Sequence, residues 1–269
     1  MERRQFLAAS IATSAVALAG NAAGQTPAAH APAPLKREFY LVRRYALESG
    51  PQTRLTEDYI GNALIPALTR LELGPVGAFR LDIGPETPAY YLLIPGVSVE
   101  TLAELDLRLA EDADFLKVAE PFWAATSAAP AFQRIETSLL AAFQGWPKLT
   151  PPPSSATKAK RIFQLRTYES PSNGDHVRKV EMFHAGEFEI FVNAGCHPVF
   201  FGDTLIGSRT PSLTYMLSFS DTADLDARWD VFRNDPAWTK LSSSPRYSAD
   251  QLVTNITNLL LSPLACSQI

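Results

Sequence analysis

Apolar positions in the C-terminal half of the chain follow strand and helix spacings in turn. Residues 162–168 alternate in the manner of a strand, and residues 175–194 place apolar side chains three or four positions apart, which predicts a helix. Gly195 is expected to end this helix, because glycine readily adopts the left-handed conformation at a helix C-terminus. Three further strands are predicted at 198–201, 213–219 and 251–261, and a second helix is predicted at 221–233. The order is therefore strand, helix, strand, strand, helix, strand.

The N-terminal half repeats this pattern at an offset of 123 residues, the distance from Arg43 to Arg166. The segments FYLVRRY and IFQLRTY align at that offset, which also pairs Tyr45 with Tyr168. Much further along the chain, DADFLK and DPAWTK match at the same offset. Two distant matches at one offset indicate an internal duplication.

The duplication divides the chain into two repeats and a linker. Residues 37–145 form the first, degenerate repeat, residues 161–269 form the second, and the proline-rich segment 146–160 links them. In the first repeat, 57–73 is predicted to be a helix, whereas 132–143 fits either the last strand or a helix. Each repeat has the βαββαβ order of a ferredoxin-like fold, with both helices on one face of an antiparallel sheet. Because the other face must also be buried, the predicted fold class is α+β: two tandem ferredoxin-like repeats that form an intramolecular α/β barrel.

The N-terminus has the composition of an export signal. Arg3 and Arg4 precede a short apolar run rich in alanine and serine, so residues 1–24 are predicted to be a twin-arginine-type signal peptide. Cleavage after Ala19 or within the following Ala-Ala-Gly stretch fits equally well. Residues 25–36, with prolines among alanines, are predicted to be a disordered tether. The expected location is therefore periplasmic or secreted.

Charge and cysteine content exclude several classes of function. The chain has 269 residues, of which 24 are basic and 28 acidic, giving a formal net charge of −4. No basic run is present, so we expect no nucleic-acid partner. The apolar segments are too short for a stable membrane span in the mature chain. Two cysteines cannot make a disulfide scaffold or a four-thiolate zinc site, and whether Cys196 and Cys266 pair stays open.

The first strand of each repeat carries an arginine and a tyrosine on one face, because side chains alternate along a strand. We expect the Phe163 side of the second repeat's strand to contact the helices, so that Arg166 and Tyr168 point into the barrel. Arg43 and Tyr45 would do the same in the first repeat. These four residues would then form a pocket for an anionic or phenolic small organic ligand. Alternatively, the arginines pair with carboxylates and the tyrosines fill the core.

Two further residues are candidates for catalysis together with Arg166 and Tyr168. Glu181 and His184 lie three positions apart on the predicted helix, where a carboxylate can orient an imidazole as a general base. His184 also falls on the apolar stripe of that helix, which is typical of a core histidine. His176 and His197 fit loop or capping positions better than metal or haem ligation, and no metal site is predicted. Four aromatic residues either line a cavity or fill the core, namely Tyr215, Trp229, Phe232 and Trp238.

Several segments of the second repeat resemble the NIPSNAP family within the dimeric α/β-barrel superfamily. They are LRTYES, VEMF, HPVFFGD, PSLTYML, FRNDPAW and the terminal SQI. The resemblance is specific over about residues 160–269 and implies a tandem member of the family. His184 departs from it, because a small polar residue is expected there. The superfamily includes cofactor-free monooxygenases and haem enzymes, so the resemblance implies no cofactor, with haem as a minor possibility.

Two functions are compatible with these patterns. In the first, the barrel binds a small organic ligand and carries out a cofactor-free oxygenation or isomerisation. In the second, the chain is a non-catalytic exported interaction module with a solid interior and no cavity of about 300 Å³ or more. In either case we expect a monomer or a homodimer, because the duplication already supplies both halves of a barrel.

Overall fold

Both halves of the chain fold into the predicted order of strands and helices. The computed structural model describes residues 37–247 and 252–269, so the predicted signal and tether at 1–24 and 25–36 lie outside the described residues. The elements of the first repeat, including a π-helical turn named π1, are β1 Phe39–Ala46, α1 Pro51–Asp58, π1 Tyr59–Leu64, α2 Ile65–Arg70, β2 Gly77–Ile83, β3 Ala89–Gly96, α3 Val99–Ala103, α4 Leu105–Leu109, α5 Ala113–Trp123 and β4 Arg134–Ala142.

The second repeat follows a short helix, α6, that lies within the linker at Pro153–Thr157. Its elements, including the π-helical turn π2, are β5 Ile162–Glu169, α7 Asn173–Met182, π2 Phe183–Glu187, α8 Phe188–Asn193, β6 His197–Ile206, β7 Ser212–Phe219, α9 Thr222–Asn234, α10 Pro236–Ser242 and β8 Asn255–Pro263. The strands β1 and β5 and the strands β3 and β7 keep the offset of 123 residues at both ends.

The predicted elements agree with the structure in type and differ at some boundaries. The helix predicted at 175–194 is α7, π2 and α8 in succession, and Gly195 follows it with a φ of 80°. The ambiguous segment 132–143 is a strand. The helix predicted at 57–73 begins earlier, at Pro51, because the fixed φ of proline suits the first turn of a helix.

The eight strands form one closed antiparallel barrel in the order β1-β3-β2-β8-β5-β7-β6-β4. Within each repeat the strands have the ferredoxin-like order, and two pairs join the repeats, β2 with β8 and β4 with β6. The predicted fold class is therefore confirmed, and the barrel closes within one chain. Among the helices in the described part of the chain, none is long and apolar enough to cross a membrane.

Apolar side chains from both repeats fill one end of the barrel. The largest of these are Tyr40, Phe79, Phe163, Phe200, Leu261 and Ile269, and each is fully buried. Two other clusters lie outside the barrel wall, one under the helices of each repeat. The structure therefore has a central core between the sheets and two outer cores between sheet and helices.

The prediction that Arg166 and Tyr168 point into the barrel is wrong. Phe163 and Leu165 point inward and join the central core, whereas Tyr168 belongs to the outer core and the Arg166 guanidinium lies against Trp229 of α9. The reason is that β5 is covered on both faces. Its alternation therefore shows which residues share a face, but not which face meets the helices.

The first repeat shows the same reversal for Arg43 and Tyr45. Tyr45 is buried in the outer core under the helices, and Arg43 pairs with Asp106 of α4. The neighbouring Arg44 is the arginine that lines the open end of the barrel, where it pairs with Glu136 of β4 at 2.8 Å.

The central core gives a first testable prediction. Replacing Phe163 with Ala is expected to lower the free energy of unfolding by about 3–5 kcal/mol, because a fully buried aromatic ring leaves a cavity. Urea denaturation followed by circular dichroism measures the change. The exposed Val177, replaced by Ala, is the control and should shift stability by no more than about 0.5 kcal/mol. Equal effects of the two substitutions would contradict the placement of Phe163 in the core.

Candidate functional site

Arg166 is a largely buried cation that forms no salt bridge with a described carboxylate. Its guanidinium carbon lies 4.5 Å from the ring centroid of Trp229 and 5.3 Å from that of Tyr168. Among the described residues, none forms a salt bridge with Arg166, and its buried Nε has no hydrogen-bond partner. A cation held by aromatic faces keeps its in-plane N–H groups available for an acceptor.

Hydrogen bonds hold the Trp229 ring in place beneath Arg166. The indole Nε1 donates to Gln164 Oε1 at 2.7 Å, and Gln164 Nε2 donates to Asn258 Oδ1 at 2.9 Å. Gln164 and Arg166 share the outer face of β5, and Asn258 lies on β8 opposite Arg166. The orientation of the guanidinium therefore depends on a network that spans β5, β8 and α9.

Two buried tyrosines lie beside Arg166. The hydroxyl groups of Tyr168 and Tyr215 are 2.7 Å apart, and β5 and β7 place Tyr215 opposite Arg166. Burial raises the pKa of both phenols above the ordinary value, although the charge of Arg166 acts in the opposite direction. Both tyrosines are therefore neutral near pH 7 and offer hydroxyl groups for hydrogen bonding.

A buried ion pair completes the charged groups of this region. Lys179 Nζ lies 2.7 Å from Glu187 Oε2, and the two side chains are only 5% and 2% exposed. The ammonium also lies 4.7 Å from the ring centroid of Phe183. Burial raises the pKa of Glu187, and the attraction of Lys179 opposes that rise. A carboxylate in this environment can accept a proton more readily than an exposed one.

These groups line a cavity of about 490 Å³ between the sheet of the second repeat and its helices. The lining residues, together called the Arg166 cavity, are Arg166, Tyr168, Lys179, Glu187, Trp229, Phe232, Arg233, Trp238, Val253, Thr254, Asn255 and Ile256. Its volume is within the range of small-molecule sites, and its wall combines aromatic side chains with a few polar ones. The cavity lies outside the barrel wall, not within the barrel.

The corresponding arginine of the first repeat is neutralised by the chain itself. Arg43 donates from Nη1 and Nη2 to the two carboxylate oxygens of Asp106, at 2.9 and 3.1 Å. Asp106 precedes Trp229 by the repeat offset of 123 residues. The helices that follow, α5 and α10, both begin at an aspartate N-cap, which confirms the register of this alignment. Arg166 thus has an aromatic ring where Arg43 has a carboxylate.

The ion pair of the second repeat also has no counterpart in the first. Lys179 and Glu187 align at the same offset with Thr56 and Leu64, which are fully buried. Neither Lys179 nor Glu187 is among the catalytic residues predicted from the sequence. Aligning the two repeats and searching for charged residues that occur in only one of them would have found Lys179 and Glu187.

Glu181 and His184 do not form the predicted pair. The Glu181 carboxylate accepts hydrogen bonds from Arg246 Nε at 2.7 Å and from the Tyr247 hydroxyl at 2.7 Å. The hydrogen bonds from Arg246 and Tyr247 lower the pKa of Glu181 to about 2. Glu181 therefore links α7 to the segment after α10, and it does not orient His184.

Both ring nitrogens of His184 are engaged by backbone groups. Nδ1 lies 2.8 Å from the carbonyl oxygen of Val180, and Nε2 accepts from the backbone N–H of Gly145 at 3.1 Å. These contacts specify a neutral ring with its proton on Nδ1. His184 lines a surface groove beside Gly186 and joins the end of the first repeat to π2, and it is not among the lining residues of the Arg166 cavity.

The remaining histidines and the cysteines lie apart from the cavity. His176 Nε2 is 2.7 Å from Asp203 Oδ1, and His197 is exposed at the start of β6. Cys196 and Cys266 are not bonded to each other, and burial raises the pKa of the Cys196 thiol to about 12. Neither thiol is activated as a nucleophile by its surroundings.

The residues of the cavity do not fit a haem site. Haem iron is usually bound by His, Cys, Met or Tyr. Of these types, the described lining residues include only Tyr168, whose hydroxyl is already bonded to Tyr215. Throughout residues 37–247 and 252–269 there is also no group of three or more His, Cys, Asp or Glu side chains that could hold a metal ion.

A second cavity, of about 320 Å³, lies at the open end of the barrel. Hydroxyl-bearing side chains dominate its wall, including Thr167 and Thr214, whose hydroxyls are 2.8 Å apart. Arg44 there is bonded to both Glu86 and Glu136. Arg134 also lines this cavity and forms no salt bridge with a described residue, but it is exposed to solvent, whereas Arg166 is largely buried.

Residues 163–268 match the NIPSNAP family model. This NIPSNAP domain corresponds to the second repeat, the half of the chain that contains the Arg166 cavity. No curated protein matches the chain by sequence.

Two solved structures share the barrel fold over most of the chain. A "putative monooxygenase" from Lactobacillus acidophilus NCFM has 9% identity and a TM-score of 0.55, covering 84% of this chain and 94% of its own. Another, from Fusobacterium nucleatum, has 8% identity and a TM-score of 0.53, covering 86% of this chain and 94% of its own. An uncharacterized NIPSNAP-like domain protein from Burkholderia xenovorans has 18% identity and a TM-score of 0.35, covering 39% of this chain and 86% of its own. At these identities the similarity shows the fold alone.

The contacts of Glu181 lead to a prediction about acid stability. Because the pKa of Glu181 in the folded chain is about 2, below its ordinary value of 4.5, the carboxylate stabilises the fold above pH 4.5. That contribution is lost as the pH falls from 4.5 towards 2. The difference in unfolding free energy between the wild type and Glu181→Gln should therefore shrink across this window in urea denaturation. Glu189→Gln controls for the loss of an exposed charge, and a difference that does not change with pH would contradict the prediction.

Proposed function

We propose that the second repeat binds a small organic ligand in the Arg166 cavity, with Arg166 as the anchoring group. The observation that carries this proposal is the contrast between the two repeats. Arg43 is paired through both terminal nitrogens with Asp106, whereas Arg166 has no salt-bridge partner among the described residues and lines a cavity. Leaving a largely buried charge without a partner is unfavourable unless a ligand supplies one.

We further propose that the cavity supports proton transfer to or from the bound ligand. Glu187 is a buried carboxylate that lines the cavity, and Tyr168 adds a neutral hydroxyl next to Arg166. A general base beside a cation that can stabilise developing negative charge suits a cofactor-free oxygenation or an isomerisation. Arg166 would orient the ligand, and Glu187 would accept the proton. This assignment replaces Glu181 and His184, whose polar atoms are engaged elsewhere.

The alternative function, a non-catalytic interaction module, predicts a solid interior. Cavities of about 490 and 320 Å³ do not agree with that prediction. The first lies between sheet and helices and the second at the mouth of the barrel. The ligand-binding function is therefore the better supported of the two.

Replacing Arg166 with Ala tests the proposed function. Loss of a charged hydrogen bond should weaken ligand binding about tenfold to a hundredfold, while the fold is retained. Native mass spectrometry of the mature protein, purified from its natural host, measures the bound mass and its stoichiometry. The matched control is Arg43→Ala, which removes the corresponding arginine of the first repeat and should leave binding unchanged. If Arg166→Ala unfolds or keeps the same bound mass, Arg166 is not the anchoring group.

We also propose that the chain is exported through a twin-arginine-type signal at residues 1–24. Two adjacent arginines before a short apolar run support this assignment. Replacing both Arg3 and Arg4 with Lys is expected to leave the unprocessed precursor in the cytoplasm, because the receptor of this pathway reads the arginine pair. Cell fractionation and intact mass measure the outcome, and Arg37→Lys is the control. Normal processing of the double-lysine variant would show that another export route is used.

A further inference from the structure

The first repeat contains a carboxylate at the position where the second repeat lacks one. Asp106 meets Arg43 end-on, with one oxygen on each terminal nitrogen at 2.9 and 3.1 Å. The Asp106 side chain is 61% exposed, so its carboxylate approaches the buried arginine from the solvent side of the helices. The contact between Arg43 and Asp106 shows that an arginine at this position of the fold can bind a carboxylate through both of its terminal nitrogens.

In the second repeat Trp229 stands at the position of Asp106 and offers Arg166 no such acceptor. The indole ring packs against the face of the guanidinium at 4.5 Å and cannot accept hydrogen bonds in the guanidinium plane. The in-plane N–H groups have a fork geometry that matches the two oxygens of a carboxylate. A ligand carboxylate in the Arg166 cavity can therefore make the contact that Asp106 makes in the first repeat.

The charges of the cavity favour a ligand with one negative charge. Lys179 and Glu187 neutralise each other at 2.7 Å, and Arg233 pairs with Asp230 at 2.5 Å. Arg166 is then the one lining cation without a partner among the described residues. A second negative charge on the ligand would be desolvated without an unpaired cation to bind, because Lys179 and Arg233 already have partners.

The walls of the cavity indicate the shape of the rest of the ligand. Trp229, Phe232 and Trp238 form an aromatic side, and Val253 and Ile256 form an apolar side next to the sheet. Aromatic side chains in a cleft favour a flat apolar body by offset or edge-to-face packing. A volume of about 490 Å³ accommodates a ligand of about two fused rings with its polar head group.

We propose that the ligand of the second repeat is a planar monocarboxylate whose carboxylate binds end-on to the terminal nitrogens of Arg166 and whose apolar body packs between the aromatic and aliphatic walls of the cavity. This inference rests on the proposed function and adds to it the chemical class of the ligand. Glu187 becomes the residue that discriminates against doubly charged ligands.

Three probes that share one body and differ in charge test the ligand class. Binding of 2-naphthoate, naphthalene-2-carboxamide and naphthalene-2,6-dicarboxylate to the full mature chain is measured by isothermal titration calorimetry at neutral pH. We expect 2-naphthoate to bind at one site per chain, about tenfold to a hundredfold more tightly than the neutral carboxamide. The dicarboxylate should bind at least about tenfold more weakly than the monocarboxylate, because Glu187 occupies Lys179 and leaves the second charge without a cation to bind.

Variants of both repeats identify the residues responsible. Trp229→Asp introduces the carboxylate that the first repeat carries at this position, so it should pair with Arg166 and abolish binding of 2-naphthoate. Asp106→Asn is the matched control in the first repeat and should leave binding unchanged. Glu187→Gln should remove the preference for 2-naphthoate over the dicarboxylate. Circular dichroism of each variant establishes that it is folded.

The outcomes separate this inference from the proposed function. If the carboxamide binds as tightly as 2-naphthoate, the ligand is not selected as a carboxylate, and the Arg166 cavity remains a ligand site. If the wild type binds the dicarboxylate as tightly as 2-naphthoate, the inferred preference for a single negative charge is wrong. If the probes do not bind but the protein from its natural host carries a bound ligand that lacks a carboxylate group, the proposed ligand class is wrong. If neither the probes nor a native ligand bind, the proposed function fails as well.

Discussion

The pairing of β2 with β8 and of β4 with β6 joins the two repeats edge to edge, and the positions of the other side chains depend on this closure. Once the two sheets form a barrel, their inner faces cover each other and need no helix between them. The helices can then cover only the outer faces. Polar residues on those faces are consequently enclosed between sheet and helix, and this is where the Arg166 cavity forms.

The duplicated architecture lets one half of the molecule serve as a reference for the other. Both repeats place an arginine under their helices, but Asp106 neutralises one and Trp229 stacks on the other. The second repeat also buries the Lys179–Glu187 pair, where the first repeat has Thr56 and Leu64. A buried ion pair is rarely more stable than well-packed apolar residues. The charges of the second repeat are therefore better explained by the proposed ligand site than by stability, and the first repeat completes the barrel.

The π-helical turns contribute to the difference between the repeats. Both π1 and π2 interrupt the first helix at aligned positions, and such turns often occur at functional sites because they shift the side chains that follow. In π2 the backbone of Gly186 has a φ of 138°, which glycine adopts readily. Glu187 follows directly and lies in the cavity wall. The π2 turn thus places the buried carboxylate opposite β5.

The sequence by itself determined the duplication, the order of elements and the fold class, because these follow from local spacing and from the similarity of one half to the other. It also selected Arg166 and Tyr168 as candidate site residues, but it did not decide which face of β5 meets the helices, since large apolar side chains occur on both faces. The pairing of Glu181 and His184 could not be judged either, because their partners Arg246 and Gly145 are distant in sequence. Only the tertiary structure decided which arginine is neutralised, since that depends on which helical residue packs over each strand after the barrel has closed.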